Sequence, residues 1–469
     1  MLTFYKWLVV YQFIGKITEF LLDWSGVSWR NIYINLPLDR RKKIRLTARQ
    51  GYDRLVKWFS YSKFNIMTTQ LYLIGTCYLA LLCEFYVVLR SFLYVRRERR
   101  QQRDSYFPKV AVLAPHYGWD EETEQNVRQL LCQDYSGDYQ IYFVTHAIDN
   151  QGADISFQYL KQVTEDASNT QVLLAPNVVD NGLPRSQKVQ NLITVIDNLP
   201  SDVEIIAFVD ADAFVHRTWL TNLVQPLQNP QIGATVGARL YVPCSSGIAT
   251  YIEAAWINFQ IALQANPAIT MVWGGSNAVR RHLIEDGQVI SRWSNATIED
   301  HNLTHAVKDL KQKIHFVPDC ITLNRTADRT WKQIFEFTNR QMIMTFWMGH
   351  RKQWIGTLIG SLPKTLILLL ALPGLFLFGP VPLSLVFLVP FLEIQCYRLT
   401  FCSLPEWLRS DPEVLGNIRR SSFVAPISTG VAAFNSIWTL FKNEIVWGGV
   451  RYKILSATTS QVLGRVQAD

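Results

Sequence analysis

The sequence predicts an α/β domain with a mostly parallel sheet, flanked on both sides by helices that associate with a membrane. Between residues 105 and 350, short apolar runs alternate with amphipathic stretches, as strands alternate with connecting helices. Outside this region the chain is strongly apolar and aromatic. The 469 residues include 15 Trp and have a mean hydropathy of +0.05, which fits a globular body joined to membrane segments.

The N-terminal part of the chain carries both basic and apolar character. We expect residues 1–65 to form an amphipathic region at the membrane interface, although a solvated helical face explains the basic stretch 39–63 equally well. Residues 66–95 are predicted to contain a transmembrane helix, because Leu71–Leu89 is apolar apart from Glu84 and is followed by the run RRERR. The positive-inside rule then predicts an integral membrane protein whose α/β domain faces the cytoplasm.

Charge and cysteine content exclude other classes of protein. The net charge of +8 is concentrated beside the apolar spans, so it does not indicate nucleic acid as a partner. The seven Cys are scattered without paired spacing, which indicates neither a zinc site nor a disulfide framework.

The α/β region is predicted from five apolar runs and three amphipathic stretches. The strands are expected at Lys109–Ala114, Tyr139–Thr145, Thr170–Leu174, Ile205–Val209 and Ile232–Ala238. The helices are expected at Glu121–Cys132, Phe157–Ala167 and Lys188–Leu199.

After residue 354 the chain becomes apolar again. Residues 354–400 predict a transmembrane hairpin, because Pro and Gly residues divide the apolar run into two short segments. Residues 401–421 are predicted to be a loop, 422–442 a third membrane or re-entrant segment, and 443–469 a tail.

The run Ile205–Val209 ends in the sequence DAD. Asp210 and Asp212 would therefore lie at the carboxyl end of a buried parallel strand, where open sheets bind their ligands. Two carboxylates at this spacing can hold Mg²⁺ or Mn²⁺ together with phosphate oxygens. Two solvated Asp side chains at a strand end are the ordinary alternative, so the prediction depends on the stretches that accompany them.

Four other stretches carry candidate site residues. Asp120 follows the first strand and could bind a nucleoside or cap a helix. Lys188, at the start of a helix, could neutralise a phosphate. Gly275 and Ser276, in VWGGSNAVRR, would let the backbone approach a ligand closely. In ATIEDHNLTHAV, Glu299 and Asp300 open a helix, and Asp300 is the candidate general base that would deprotonate an acceptor hydroxyl. These residues have ordinary alternatives in surface charge, turns and helix capping.

In this order, the stretches resemble the GT-A (Rossmann-like) fold of inverting family 2 type glycosyltransferases, and particularly the ceramide glucosyltransferase-like group. The resemblance implies that Asp120, Lys188 and Asp210 contact the nucleotide sugar, with Asp210 and Asp212 also at the metal. It places a second nucleotide-contacting Asp after the next strand, where Asp149 is the nearest match and His146 the rival. It places Gly275, Ser276 and Glu299 on the acceptor side.

One motif of the family is incomplete in this chain. Members commonly carry Q/R-x-x-R-W after the base, whereas this sequence reads NRQMIMTFWMGHRKQW. Arg340 and Gln341 match its beginning and are predicted to contact the nucleotide sugar. Ile343 and Met344 stand where Arg and Trp are expected. Trp347 or Trp354 could supply the aromatic surface in their place, with Trp347 on the acceptor side, and Arg340 or Arg351 could supply the positive charge.

The resemblance implies an inverting membrane glycosyltransferase that moves a hexose, glucose in preference, from a UDP-sugar to a membrane lipid hydroxyl of ceramide or diacylglycerol type. A processive β-glycan synthase and a polyprenyl-phosphate sugar transferase are alternative enzymes. A catalytically silent membrane scaffold with a GT-A-like domain is the alternative from another class.

Overall fold

The computed structural model of the protein describes residues 72, 74–101, 105–147, 153–378 and 381–466. The predicted interfacial region 1–65 and the candidate Asp149 lie outside these residues. The described residues of Leu79–Leu366 and Phe387–Asp469 form one compact unit, which contains all the strands named below. The described residues of a second unit, within 72–78 and 367–386, are helical.

The first described helix, α1, is Ile74–Glu98. Strands and helices then alternate through the α/β region. Their bounds are β1 Val110–Pro115, α2 Glu121–Leu131, β2 Tyr139–His146, α3 Ile155–Val163, β3 Thr170–Ala175, α4 Gln187–Ile196, β4 Ile205–Val209, α5 Trp219–Val224, β5 Ile232–Val236, β6 Arg239–Pro243, α6 Ile248–Asn258, α7 Gln260–Gln264, β7 Ser276–Arg280, α8 Arg281–Asp286, α9 Val289–Trp293, α10 Asp300–Asp309, β8 Lys313–Phe316 and β9 Thr322–Thr326.

The remaining chain is helical until a small sheet near its end. The bounds are α11 Trp331–Trp347, α12 Arg351–Phe378, α13 Val381–Thr400, α14 Glu406–Arg409, α15 Pro412–Trp438, β10 Glu444–Trp447, β11 Val450–Ile454 and β12 Ser460–Arg465. Helix α12 is continuous through Pro363 and Pro373.

The central sheet has the strand order β3-β2-β1-β4-β7-β5-β8. Strand β7 runs antiparallel to both of its neighbours, β4 and β5, and the other pairs are parallel. Strands β6 and β9 form a separate parallel pair. The carboxyl ends of β1, β2 and β4 therefore meet at one edge of the sheet, where the DAD sequence follows β4.

Apolar cores cover both faces of the central sheet. On one face, buried side chains of α4, α8, α9 and α10 pack together, among them Leu192, Leu283, Trp293 and Leu303. On the other face, α2, α3 and α5 supply side chains that include Trp219. Burial on both faces explains why β4 reads as a continuous apolar run.

The predicted α/β architecture with a mostly parallel sheet is confirmed. The five predicted strands and three predicted helices are all present, with ends that differ by a few residues. Strands β7 and β8, the β6–β9 pair and the antiparallel sheet β10-β11-β12 were not predicted, and the last of these lies within the stretch predicted to be a tail.

The membrane segments stay predictions. Among the described residues, α1 is the one helix found to be long and apolar enough to cross a membrane, and core helices can meet the same criterion. The predicted hairpin corresponds to α12 and α13, and the predicted third segment lies in the second half of α15 and the residues after it. Residues 401–421, predicted to be a loop, instead contain α14 and the beginning of α15.

Candidate active site

The DAD sequence lies at the end of β4, where two amides hold its backbone. The Asn126 side chain donates to the Ala211 carbonyl at 3.0 Å, and the Asn324 side chain donates to the Asp212 carbonyl at 2.8 Å. Because the turn is fixed from both sides, the carboxylates of Asp210 and Asp212 are directed into a cavity that both residues line.

Lys188 forms the centre of a charged cluster beside this turn. Ser186 caps α4 and accepts a hydrogen bond from the Val189 backbone, which places Lys188 in the first turn of the helix. Lys188 Nζ lies 2.6 Å from Asp210 Oδ1 and 2.5 Å from Glu299 Oε1. One ammonium group therefore joins the end of β4 to the start of α10, across nearly 90 residues of chain.

Glu299 is held in an unusual state by this arrangement. Burial raises the pKa of Glu299 to about 7, even though the ion pair with Lys188 opposes the shift. Its Oε2 atom is buried and has no hydrogen-bond partner among the described residues. The carboxyl group is thus almost fully buried at the wall of the cavity, and Lys188 links it to Asp210.

Asp300, the first residue of α10, is oriented by the backbone. Its Oδ2 accepts a hydrogen bond from the Gly274 N–H at 3.2 Å, and its Oδ1 accepts one from the His301 N–H at 2.7 Å. Burial raises the pKa of Asp300, while the nearby Lys188 lowers it. The Asp300 side chain is 17% exposed, against 2% for Glu299, so it is the more accessible of the two carboxylates.

The glycine pair in VWGGS lets these groups approach one another. A Cβ atom on Gly274 would collide with Glu299 Oε1 and lie 2.9 Å from Lys188 Nζ. A Cβ on Gly275 would collide with the ring of Trp273. The two glycines are therefore required by close packing around the charged cluster. From the sequence, glycine here had been expected to allow a close approach of backbone to a ligand.

The sequence analysis missed an arginine beside the carboxylates. The guanidinium of Arg239, at the start of β6, lies 4.9 Å from the ring centroid of Trp273, and its Nη1 donates to the Tyr241 hydroxyl at 3.0 Å. Burial alone would lower the pKa of Arg239, but Tyr241 and the carboxylates of Asp212 and Asp210 raise it above its ordinary value. A cation stacked on a tryptophan thus lies near the DAD turn. No short motif marks Arg239, because its partners are distant in sequence.

Arg340 adds a second cation to this part of the cavity. Its guanidinium lies 5.5 Å from the ring centroid of Phe337 and donates to the Val446 carbonyl at 3.3 Å. Within the described residues, neither Arg239 nor Arg340 has a carboxylate oxygen within 4.0 Å. Two partly buried guanidinium groups without a paired carboxylate favour an anionic ligand.

A single cavity of about 670 Å³ brings the candidate residues together. The predicted site residues that line it are Lys188, Asp210, Asp212, Glu299, Asp300, Arg340 and Gln341. The same cavity is lined by side chains of α1, α12, α13 and α15, so the charged cluster opens into a space between helices.

Four predicted site residues lie outside the lining of this cavity. Asp120 caps α2, where its Oδ1 accepts hydrogen bonds from the Thr123 N–H and hydroxyl. Ser276 is fully buried: its hydroxyl donates to the Cys320 carbonyl and accepts from the Trp219 indole. That position gives no support to an acceptor-side role, because Ser276 faces the core.

Gly275 and Trp347 are the other two. Gly275 packs on Trp273, as described above. The Trp347 indole donates to the carbonyls of Thr439 and Lys442, so it anchors the segment after α15. The aromatic surface beside the carboxylates is instead supplied by Trp273, which the sequence analysis did not single out.

His146 and Asp154 lie where the second nucleotide contact was expected. Asp154 Oδ1 accepts hydrogen bonds from the Gly118 N–H at 2.9 Å and from Ser156. Asp154 therefore fixes the loop after β1. His146 stacks on Tyr117 at 5.5 Å between ring centroids, and burial lowers its pKa.

The chemistry of the DAD turn fits a divalent cation. Burial and the neighbouring Asp210 raise the pKa of Asp212, so the two carboxylates repel each other and a cation between them would relieve the repulsion. No group of three or more His, Cys, Asp or Glu is placed to hold a metal within the described part of the chain. A metal at Asp210 and Asp212 would therefore need water molecules or ligand oxygens to complete its coordination.

Comparisons with solved structures give distant likenesses. A mannosyltransferase from Pyrobaculum calidifontis, solved with GDP-Man and Mn²⁺, is 17% identical over 78% of this chain and 99% of that chain, with a TM-score of 0.41. Glucosyl-3-phosphoglycerate synthase from Mycobacterium tuberculosis, solved with phosphoglyceric acid, is 17% identical over 51% of this chain and 78% of its own, with a TM-score of 0.32. The same synthase solved with Mn²⁺, UDP and phosphoglyceric acid gives 16% identity, 51% and 77% coverage, and a TM-score of 0.33.

No curated protein matches the sequence significantly. The profile of glycosyl transferase family 21, by contrast, matches residues 68–460, which include the charged cluster, both arginines and the helices that line the cavity. The chain belongs to glycosyl transferase family 21.

Proposed function

We propose that this glycosyltransferase moves a hexose, glucose in preference, from a UDP-sugar to a hydroxyl group of a membrane lipid, with inversion at the anomeric carbon. The observation that carries the proposal is the shared cavity, in which Lys188, Asp210 and Asp300 face the same space as four long helices. Membership of glycosyl transferase family 21 supports the sugar transfer, and the helical lining supports a lipid acceptor.

Asp300 is the group best placed to act as general base. Its carboxylate is accessible from the cavity, whereas Glu299 is enclosed and bound to Lys188. Burial brings the pKa of Asp300 upward, towards the range in which a carboxylate accepts a proton effectively. The two backbone N–H donors fix its orientation.

The reaction is a single displacement. Asp300 takes the proton of the lipid hydroxyl as the oxygen forms a bond to the anomeric carbon, and the bond from that carbon to the UDP oxygen breaks. The electron pair of the broken bond leaves with UDP. No covalent sugar–enzyme intermediate is needed, because acceptor and leaving group occupy opposite faces of the sugar.

The leaving diphosphate would be held by the cations of the site. Lys188, Arg239 and Arg340 are the side chains suited to this, and Arg239 stacked on Trp273 would take the place of the Arg-Trp pair missing from the expected motif. A Mg²⁺ or Mn²⁺ bound by Asp210 and Asp212 would supply Lewis-acid stabilisation of the diphosphate charge.

The helices around the cavity carry features suited to a membrane. Helix α15 exposes large apolar side chains, among them Phe423 (65%) and Phe434 (52%), and α13 exposes Phe387 (71%). Such surfaces on a soluble protein would favour aggregation, whereas in a bilayer they would contact lipid. We further propose that the α/β domain faces the cytoplasm, because Arg96, Arg97, Arg99 and Arg100 follow the apolar part of α1.

The test uses membranes that contain the full chain, UDP-glucose with a radiolabelled sugar, and extraction of the products. We expect label in organic-soluble lipid, lost on addition of EDTA and reduced at least about 100-fold by Asp300→Asn. Asp309→Asn, at the exposed end of the same helix, is the control and should retain transfer. Label in a water-soluble polymer, or no transfer from any nucleotide sugar, would contradict the proposal.

A further inference from the structure

A second charged cluster lines the same cavity among the helices. Lys364 Nζ, on α12, lies 2.5 Å from Glu84 Oε2 on α1 and 2.8 Å from Glu393 Oε1 on α13. The hydroxyl of Thr429, on α15, donates to Glu393 Oε1 at 2.7 Å. Side chains of four helices therefore meet in one cluster, and all four side chains line the cavity.

Along α12, this second cluster lies far from the transfer site, which is the part of the cavity around Asp300 and the DAD turn. His350 directly precedes α12, and its ring centroid is 4.6 Å from that of His301, the neighbour of Asp300. From Arg351 to Lys364 the helix rises about 20 Å. Since helical side chains lean towards the N-terminus, the Lys364 ammonium group lies about 15–20 Å along the helix axis from the start of α12.

One continuous face of α12 connects the two clusters. Gln353, Gly356, Thr357, Gly360, Ser361 and Lys364 all line the cavity. Their spacing of three and four residues is that of a single helix face, so the cavity follows α12 from the transfer site to the second cluster. An elongated molecule could occupy both places at once.

The charge of the second cluster is not balanced. Two carboxylates face one ammonium group, and Glu393 Oε2 is buried without a hydrogen-bond partner among the described residues. An apolar lipid tail beside the cluster would leave this buried oxygen without a hydrogen-bond donor. The arrangement suits a ligand that donates a hydrogen bond, and Glu84, the most exposed of the three side chains, is placed to accept it.

We propose that Glu84, Lys364 and Glu393 form a second polar subsite, which binds a hydroxyl group of the acceptor at the opposite end from the hydroxyl that receives the sugar. The inference rests on the proposed lipid glycosyltransferase activity and narrows its substrate class. The acceptor is an elongated amphiphile with hydrogen-bond donors about 15–20 Å apart.

The test compares matched alcohols as acceptors for the full-length protein in detergent with UDP-glucose. Hexadecane-α,ω-diol carries a second hydroxyl that reaches the subsite, hexadecanol lacks it, and octane-α,ω-diol and octanol form the pair too short to reach. Two equivalent ends give both diols the same statistical advantage. For each pair we compare the ratio of kcat/KM for the diol to kcat/KM for the monoalcohol. We expect this ratio to be about tenfold larger for the long pair than for the short pair.

Glu84→Gln should reduce this extra preference for the long diol, because a neutral amide oxygen accepts a weaker hydrogen bond than a carboxylate oxygen does. Glu253→Gln is the matched control: Glu253 is also a buried carboxylate, but it lies outside the cavity lining, and its variant should keep the preference. If Glu84→Gln fails to fold, the four alcohols with the unmodified protein still decide the question.

Equal preference in the long and short pairs would overturn the subsite. So would a Glu84→Gln variant that lowers transfer to hexadecanol and to the long diol by the same factor, since a purely structural cluster would act in that way. No transfer to any of the alcohols or to membrane lipids would instead contradict the proposed function itself.

Discussion

Two lysines in this protein are each held between two carboxylates, and the two clusters line the same cavity. Lys188 lies between Asp210 and Glu299 at 2.6 and 2.5 Å, and Lys364 lies between Glu84 and Glu393 at 2.5 and 2.8 Å. The charges are alike, so the difference between the clusters comes from their surroundings.

The first cluster is surrounded by further charge and by fixed backbone. Arg239 and Asp300 lie nearby, and glycine at 274 lets the groups approach closely. The second is surrounded by helices with apolar surfaces. We infer from this difference that the first cluster stabilises the charge that develops during the reaction, whereas the second binds an uncharged polar group.

Replacing each of the two lysines should give the largest effects and should separate the roles of the two clusters. Lys188→Met leaves buried carboxylates unpaired and removes a phosphate partner, so we expect transfer to fall about 1,000-fold. Lys364→Met should lower transfer to the long diol by only about tenfold. Each substitution should reduce the free energy of unfolding by about 3–5 kcal/mol, measured by denaturant unfolding. Equal losses of transfer would contradict the division of roles.

The glycine at position 274 should be the next most sensitive position. Gly274→Ala places a methyl group against Glu299 and Lys188, which must separate, and we expect transfer to fall about 100-fold. Gly416→Ala on α15 is the control, because its added Cβ meets nothing within 4 Å. Radiolabel transfer at saturating UDP-glucose measures both, and a Gly274→Ala variant as active as the control would count against the close packing.

Arg239 should affect the donor more than the acceptor. Arg239→Gln removes the stacked cation near the DAD turn, so we expect the KM for UDP-glucose to rise about tenfold. The KM for a lipid alcohol should change little. A reversed pattern, with the acceptor KM raised and the donor KM unchanged, would place Arg239 on the acceptor side of the cavity.

Replacing Glu299 should have the smallest effect, which is on the pH dependence of the free energy of unfolding. Burial raises the pKa of Glu299 from its ordinary 4.5 to about 7, so the folded protein binds more protons than the unfolded chain between these values. The free energy of unfolding should therefore fall as pH rises from 4.5 to 7. Glu299→Gln removes this contribution, and a pH profile of Tm no flatter than that of the unmodified protein would contradict the assignment.

The two clusters also differ in how far the sequence predicted them. Asp210, Lys188 and Asp300 stand in short motifs beside strand ends and helix starts, and the rules of open α/β sheets place such positions together. Glu84, Lys364 and Glu393 are isolated charges in three separate apolar stretches. Their meeting depends on how the helices pack, and packing has no short-range signature.

Other features that were not predicted also depend on residues that are distant in sequence. Strand β7 begins at Ser276, in a stretch interpreted as a close approach of backbone to a ligand, with a turn as the alternative. Its antiparallel position between β4 and β5 depends on partners that are distant in sequence. Arg239 and Trp273 lie 34 residues apart and meet only in the folded chain. Trp347 was favoured as the aromatic surface because it lies near the incomplete motif in sequence, although its indole anchors the segment after α15.

The most direct test of the account asks whether the acceptor lies along α12 while the donor binds at the DAD turn. Gly356 lines the cavity, and a Cβ atom added there meets nothing within 4 Å, so we expect the indole of Gly356→Trp to extend into the cavity and fill the path along α12. We predict that this variant loses transfer to lipid alcohols while its affinity for UDP-glucose stays unchanged, and that Gly416→Trp, outside the cavity, keeps both. Undiminished lipid transfer by Gly356→Trp would contradict the claim that one cavity serves both substrates.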